Sequence, residues 1–297
     1  MSGVVIGVDL GGTKILAGRV DRIGGVERHR ETQTPLGSQA ELLAGIDGAV
    51  AELMDDDVRA LGFGIPSRID QRTGRVLGSV NIPLEELDFR RRMAEHFELP
   101  VGIENDASCA ALAEHVAGAG RGSRTMVMLT LGTGVGGGIV IDGELYRGWA
   151  EFGHIVVEYD GEPCFGACTG HGHLESYASG TAATLRAQAA FGPAVDSHRL
   201  VRLAAEGNEQ AIEILDGIGR RLGAGIGSLV NVFDPELCVI GGGFAAAEGF
   251  LFEAAREVAR REALSPAGER LRIARAELGT MAGLIGAGLI AFAALER

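Results

Sequence analysis

Basic residues are in short supply: 27 Lys and Arg stand against 40 Asp and Glu in 297 residues, a formal net charge of −13. A broad nucleic-acid surface needs a basic face, so this balance argues against nucleic acid as a partner. It leaves room for a small anion, which a nest of backbone N–H groups can hold inside an acidic protein. Cysteine is also scarce. Cys109, Cys164, Cys168 and Cys238 include only one close pair, too few for a disulfide framework and suited to a reducing compartment. Long apolar runs are missing: the longest, Met281 to Leu295, falls short of the roughly eighteen residues a membrane span needs and is rich in Gly and Ala, so it reads as a buried helix. No basic n-region or cleavage signal precedes Val4-Val5-Ile6-Gly7-Val8, and the chain is read as cytoplasmic, without a membrane partner. There is no low-complexity linker.

What is abundant is glycine between short β-rich runs. Val4 to Val8, Ile15 to Val20 and Val26 to Thr34, punctuated by Gly11-Gly12 and Gly24-Gly25, predict an antiparallel meander. Ser38 with Glu41 makes a capping box before a helix whose apolar face carries Leu42, Leu43, Ile46, Ala49, Val50 and Leu53. A strand (60–65), a helix (about 84–97), a strand (101–104) and a helix (about 107–117) follow, so the first lobe is a meander followed by βαβα. The pattern then restarts with a strand at 125–131, a glycine run and a strand at 138–141. A long helix (208 to about 230), a strand (237–240), a helix to about 262, a strand (271–276) and the apolar terminal helix complete the chain. The expectation is two α/β lobes, residues 1–117 and 118–282, with the terminal helix, 283–297, packing back onto the first.

Gly7-Val8-Asp9-Leu10-Gly11-Gly12-Thr13-Lys14 is a buried strand ending in an acid and a tight glycine turn. Such a turn presents consecutive N–H groups. Thr13 and Lys14 add a hydroxyl and a cation where a phosphate would sit, and Asp9 could hold Mg²⁺ directly or through water. It is not a Walker A loop, because Thr precedes Lys and a strand follows; an ordinary hairpin is the plain alternative. The second turn, Gly132-Thr133-Gly134-Val135-Gly136-Gly137-Gly138, contains a formal GxGxxG, but a dinucleotide loop opens a helix and this one continues as a strand. Two glycine hairpins therefore suggest paired phosphate clamps, and Gly241-Gly242-Gly243 after a buried strand offers a surface for a flat adenosine.

Glu104-Asn105-Asp106 ends a strand and starts a helix, which places Asp106 either to project as a reactive carboxylate or to serve as an N-cap. Between Trp149 and Glu175 stand Glu151, His154, Cys164, Cys168, His171, His173 and Glu175. Cys164, Cys168 and His173, with His154 as fourth ligand, make a plausible structural Zn²⁺ site of Cys2His2 type, with His171 as rival ligand and two reduced loop thiols as the plain alternative. Cys109 and Cys238 read as core residues.

Together these segments resemble the ROK family of sugar kinases and sugar-responsive repressors, in family order and over essentially the whole chain. The resemblance implies the actin/hexokinase-like (ribonuclease H-like) two-lobed α/β fold, with ATP and sugar in the interlobe cleft. It implies Asp106 as catalytic base, and Asn105, Asp106, Glu151, His154 and Glu175 on the sugar hydroxyls. Asp9, Gly11, Gly12, Thr13, Lys14, Gly132, Thr133, Gly134, Gly242 and Gly243 would hold ATP with Mg²⁺. A homodimer or higher homo-oligomer is the family's habit. Two departures stand out. The family's C-x-C-G-x-x-G-C loop reads Gly166, Cys168 and His173 at its cysteine positions, with Cys164 two residues earlier. Ser67-Arg68 follows Pro66 where the family often has Gly.

The expected activity is transfer of the γ-phosphoryl group of ATP to the 6-OH of glucose. Fructose, mannose, allose or an N-acetylhexosamine are the alternative acceptors, polyphosphate the alternative donor, and a non-catalytic sugar sensor the alternative role. A repressor of the family would carry a DNA-binding domain before the first lobe, and here the first glycine turn comes within about ten residues of Met1.

Overall fold

In the computed structural model, which describes residues 3–79 and 81–296, the chain divides into two compact units. Unit 1 comprises residues up to 121, 145–149 and 280 onward; unit 2 comprises 122–144 and 150–279.

In unit 1, β1 (Val4–Leu10), β2 (Lys14–Val20) and β3 (Val26–Gln33) form the antiparallel meander. Next come α1 (Gln39–Ala51), β4 (Val58–Ile65), a hairpin of β5 (Ser67–Asp70) and β6 (Arg75–Ser79), α2 (Phe89–Phe97), β7 (Val101–Asn105) and α3 (Asp106–Ala117). The sheet order is β3-β2-β1-β4-β7, with β4 parallel to both β1 and β7. The capping box begins α1 as the residues predict: Ser38 Oγ accepts from the Glu41 N–H at 3.2 Å, and Leu42, Ile46, Ala49 and Val50 are buried.

One helix start differs from the periodicity. α2 begins at Phe89 because Leu87 exchanges two backbone hydrogen bonds with Val76 (2.8 and 3.1 Å), and Glu86 has a left-handed φ of 48°. Residues 84–87 are thereby held to the hairpin, and Asp88 caps the shortened helix.

Unit 2 repeats the plan. β8 (Met126–Leu131) and β9 (Val135–Ile141) pair antiparallel across the second glycine turn, and the short β10 (Glu144–Leu145) follows. Then come α4 (Glu175–Ala178), α5 (Gly180–Phe191), α6 (Ser197–Ala205), α7 (Glu209–Phe233), β11 (Leu237–Gly241), α8 (Glu248–Glu262), α9 (Ala267–Arg270) and β12 (Arg272–Arg275). The order is β10-β9-β8-β11-β12, with β11 parallel to β8 and β12, so both sheets run from an antiparallel hairpin into parallel strands. The 180–205 helices had no counterpart in the sequence reading.

The last helix, α10 (Ala282–Leu295), packs within unit 1 against β1, β4 and α3. Glycine permits the approach: a Cβ on Gly286 would lie 1.8 Å from the Cys109 carbonyl oxygen, and one on Gly62 1.8 Å from that of Ala287. The backbones of α10, α3 and β4 thus touch directly, which fixes the start of α3. Among the described residues, no helix is long and apolar enough to cross a membrane.

Candidate active site

The first glycine turn joins β1 to β2. Gly11 N–H donates to the Lys14 carbonyl (2.9 Å), Thr34 Oγ1 donates to the Gly11 carbonyl (2.7 Å), and Thr34 N–H donates to the Thr13 carbonyl (3.1 Å). Gly12 packs against Asn81, 3.3 Å from where a Cβ would sit, a neighbour that no local pattern announces. Thr13 is exposed. Lys14 Nζ is drawn to Glu31 Oε2 on β3 at 2.7 Å, an exposed pair of the kind that contributes little stability.

Asp9, near the end of β1, has its carboxylate beside Gly283 in the first turn of α10, where any Cβ would collide with it at 2.4 Å. Burial pushes the Asp9 pKa up to about 7; the negative charge of Asp106 adds to the shift and Lys14 opposes it. The two carboxyls are therefore electrostatic neighbours, an arrangement that a divalent cation would relieve.

Of the two residues at the junction, the cap is the asparagine and not the aspartate. Asn105, at φ −63° and ψ 146°, is the cap: its Oδ1 accepts from the N–H groups of Ala107 (2.9 Å) and Ser108 (3.2 Å). Asp106 is left as the first residue of α3, half-buried. Glu104 behind them is buried and accepts from Gln71 Nε2 (2.7 Å) and the Asn105 N–H (2.9 Å). Ser67 is buried and Arg68 exposed at the start of β5.

In unit 2, the second glycine turn is tied to the N-terminus of α5. Gly180 N–H donates to the Gly132 carbonyl (2.8 Å) and Thr181 Oγ1 to the Thr133 carbonyl (2.7 Å). Gly242, at φ +85°, lies against the Leu131 backbone, which a Cβ would approach to 2.3 Å, while Gly243 faces open space. The structure thus joins Gly132–Gly134 and Gly242–Gly243 into one backbone surface. Glu175, first residue of α4, accepts from the Val135 N–H at 2.8 Å and so abuts the same turn. Glu151 is exposed before the 3₁₀ turn Phe152–His154.

His154, Cys164, Cys168 and His173 converge, with ligand atoms all within 4.8 Å of one another. His154 Nδ1 is 3.2 Å from His173 Nδ1, Cys164 Sγ 3.8 Å from His154 Nδ1, and Cys168 Sγ 3.6 Å from His173 Nδ1. Tetrahedral zinc with ordinary bond lengths implies edges of roughly 3.3 Å for N–N and about 3.6 Å for N–S, so the donors fit the ion. His171 stays outside the cluster and exposed, because Gly172 at φ +67° turns the chain between the bridges Pro163–His171 and Val156–His173. Burial, and then the charge of His154, lower the His173 pKa, the direction that favours the neutral ring a metal needs. Burial and the neighbouring Cys168 raise the Cys164 pKa, a tendency a bound cation reverses.

Two units, each with a mixed sheet opening on a glycine hairpin, a helix-anchored carboxylate in one and a glycine surface in the other, define an α/β protein of the actin/hexokinase-like class. The chain belongs to the ROK family, whose sequence model matches residues 5–294. It is similar to a ROK hexokinase of known structure from Thermus thermophilus, with 36% identity and a TM-score of 0.87 over 99% of both chains. A ROK family glucokinase from Streptomyces griseus, solved in complex with glucose and AMPPNP, is 34% identical with a TM-score of 0.82, over 98% of this chain and 100% of that one. The glucokinase of Streptomyces coelicolor is 32% identical over 310 residues, 96% of each chain.

Proposed function

We propose that this sugar kinase transfers the γ-phosphoryl group of ATP to the 6-OH of glucose, with Asp106 as general base. The observation that carries the reading is the separation of Asn105 and Asp106: the asparagine caps α3, and the aspartate is left at the helix start with its backbone fixed. Phosphoryl transfer asks mainly for positioning and charge neutralisation, with one carboxylate to orient and deprotonate the attacking hydroxyl. A half-buried carboxylate at the first position of α3 meets that need.

The other roles follow from the chemistry present. Gly11, Gly12 and Thr13 in unit 1, and Gly132, Thr133, Gly134, Gly242 and Gly243 in unit 2, offer backbone N–H groups and hydroxyls for the nucleotide. Lys14, with its ammonium on Glu31, serves only if that exposed pair opens. Asp9 is the residue that would hold Mg²⁺, which when bound neutralises phosphate charge. Asn105, whose amide NH2 is not needed for capping, joins Glu151, His154 and Glu175 as partners for the sugar hydroxyls. His154, Cys164, Cys168 and His173 would hold a structural Zn²⁺. With Nδ1 of His154 turned into that cluster, its Nε2 is the nitrogen left for the sugar.

Coupled ADP release against a panel of hexoses tests the assignment. Glucose is expected to show the highest kcat/KM among glucose, mannose, fructose, allose and the N-acetylhexosamines; a higher value for fructose or an N-acetylhexosamine would replace glucose and leave the kinase reading intact. No phosphorylation of any sugar would overturn the reading itself.

A further inference from the structure

Glu104 is 3% exposed, and an ionised carboxylate at such depth is costly unless several partners meet it. It has them from two distant parts of the chain. Gln71, in the turn after β5, donates from Nε2 to Oε1 at 2.7 Å, and its own carbonyl accepts from Arg90 Nη2 at 3.1 Å. Arg147 brings Nη1 to 3.8 Å from Oε2. It stands in the segment 145–149, which leaves the sequence of unit 2 to join unit 1 and then returns. Gln71 and Arg147 also line one pocket of about 350 Å³, together with Asp70 and Trp149.

Stability alone does not explain a charge here, since well-packed apolar groups of similar volume generally stabilise a core at least as well as a buried ion pair. What the carboxylate does locally is specific. The same Oε1 that takes the Gln71 amide also takes the Asn105 N–H, so Glu104 fixes the peptide between the end of β7 and the cap of α3. Asp106 is the next residue. On its other side, α3 is set by the contact of Cys109 with Gly286 of α10. The Asp106 backbone is held from both directions, and only the Glu104 side depends on side chains that a pocket reaches.

We propose that Glu104, clamped by Gln71 and Arg147, is a positioning residue for Asp106, and that Arg147 is the member through which the segment 145–149 acts on the base. The inference rests on Asp106 being the base. A displacement of about an ångström in such a group can cost about a hundredfold in rate, so loss of the clamp should appear in turnover.

The test uses the full chain and four variants: Arg147→Met, Arg147→Lys, Glu104→Gln and the double Glu104→Gln/Arg147→Met. Because Glu104→Gln could disturb folding, the decision rests on Arg147, whose side chain is 30% exposed. Turnover is expressed per folded molecule, with thermal melts run in parallel. Expected are a fall in kcat of about ten- to a hundredfold for Arg147→Met, KM for glucose within about threefold, partial recovery in Arg147→Lys, and a double variant no worse than its worse single. A kcat within about twofold of wild type, a raised KM with unchanged kcat, or independent multiplying effects would overturn the proposal. Asp106→Asn, assayed alongside, separates the two readings: if it stays active the base assignment fails, and if it is dead while Arg147→Met is fully active only the clamp fails.

Discussion

The carboxylate of Glu175 accepts a hydrogen bond from the backbone N–H of Val135 at 2.8 Å, and it lies 2.3 Å from where a Cβ on Gly134 would stand. A residue expected to face the sugar is thus braced on the glycine turn expected to face the nucleotide. Gly134→Ala would have to displace the end of that side chain, which is flexible enough to move at small cost in stability. We expect Gly134→Ala to melt within a few degrees of wild type while kcat/KM for glucose falls by about tenfold or more, a loss of roughly 1.4 kcal/mol. Steady-state kinetics beside a thermal melt decides it; unchanged kinetics would dissociate Glu175 from the sugar.

Asp106→Asn keeps the shape of the residue and its hydrogen-bonding capacity but cannot take a proton. The expected result is a drop of about two to four orders of magnitude in kcat, with sugar affinity within about tenfold, measured by coupled assay and by titration calorimetry. Retention of more than roughly a tenth of wild-type turnover would remove Asp106 from the role of base.

Asp9 makes stability depend on pH. Its pKa is raised in the folded chain to about 7 from 3.8, so between these values the folded state binds more protons than the unfolded state. The stabilisation this represents is fully present below about pH 4 and is lost as pH rises through 7, with a ceiling of about 4 kcal/mol. Denaturant melts without added divalent cation should therefore show stability declining across that window on this group's account. Asp9→Asn should flatten the decline, and Mg²⁺ should oppose it at the upper end. An unchanged slope in Asp9→Asn would show that the carboxyl is not held protonated.

Metal analysis should return about one zinc per chain, as expected for a single closed site of four ligands. Chelation should lower the melting temperature and weaken glucose binding more than nucleotide binding, because His154 belongs to the cluster and the glycine turns do not. Cys164→Ser should bind zinc less tightly, whereas His171→Ala should not change zinc content. A metal-free preparation with full activity and an unaltered melt would leave the four side chains as ordinary loop residues.

Much of this protein was legible from short stretches of sequence. The glycine hairpins, the capping box of α1, the strand-to-helix junction at Asn105-Asp106 and the apolar terminal helix each depend on residues a few positions apart, so composition and period suffice to find them. The cluster of His154, Cys164, Cys168 and His173 was also visible as a spacing with His171 as the rival of His173, and Gly172 turns the chain between the two. Elsewhere local pattern pointed the wrong way. Residues 84–87 carry a helical pattern yet pair with Val76, because two backbone hydrogen bonds to a hairpin outweigh the first turn of a short helix.

What the tertiary structure alone decided are the relationships between residues far apart in the chain. Lys14 meets Glu31 because β2 pairs with β3 in a fixed register, and Asn81, beyond the end of β6, abuts Gly12. Gln71 and Arg147 converge on Glu104 from distant parts of the chain, and the negative charge of Asp106 reaches Asp9. The sequence determined which local structures form and which reactive groups are available, since these follow from backbone sterics and side-chain chemistry within a turn or two. Which groups become neighbours, and which carboxylates are buried or paired, follows only from long-range packing and the burial it imposes.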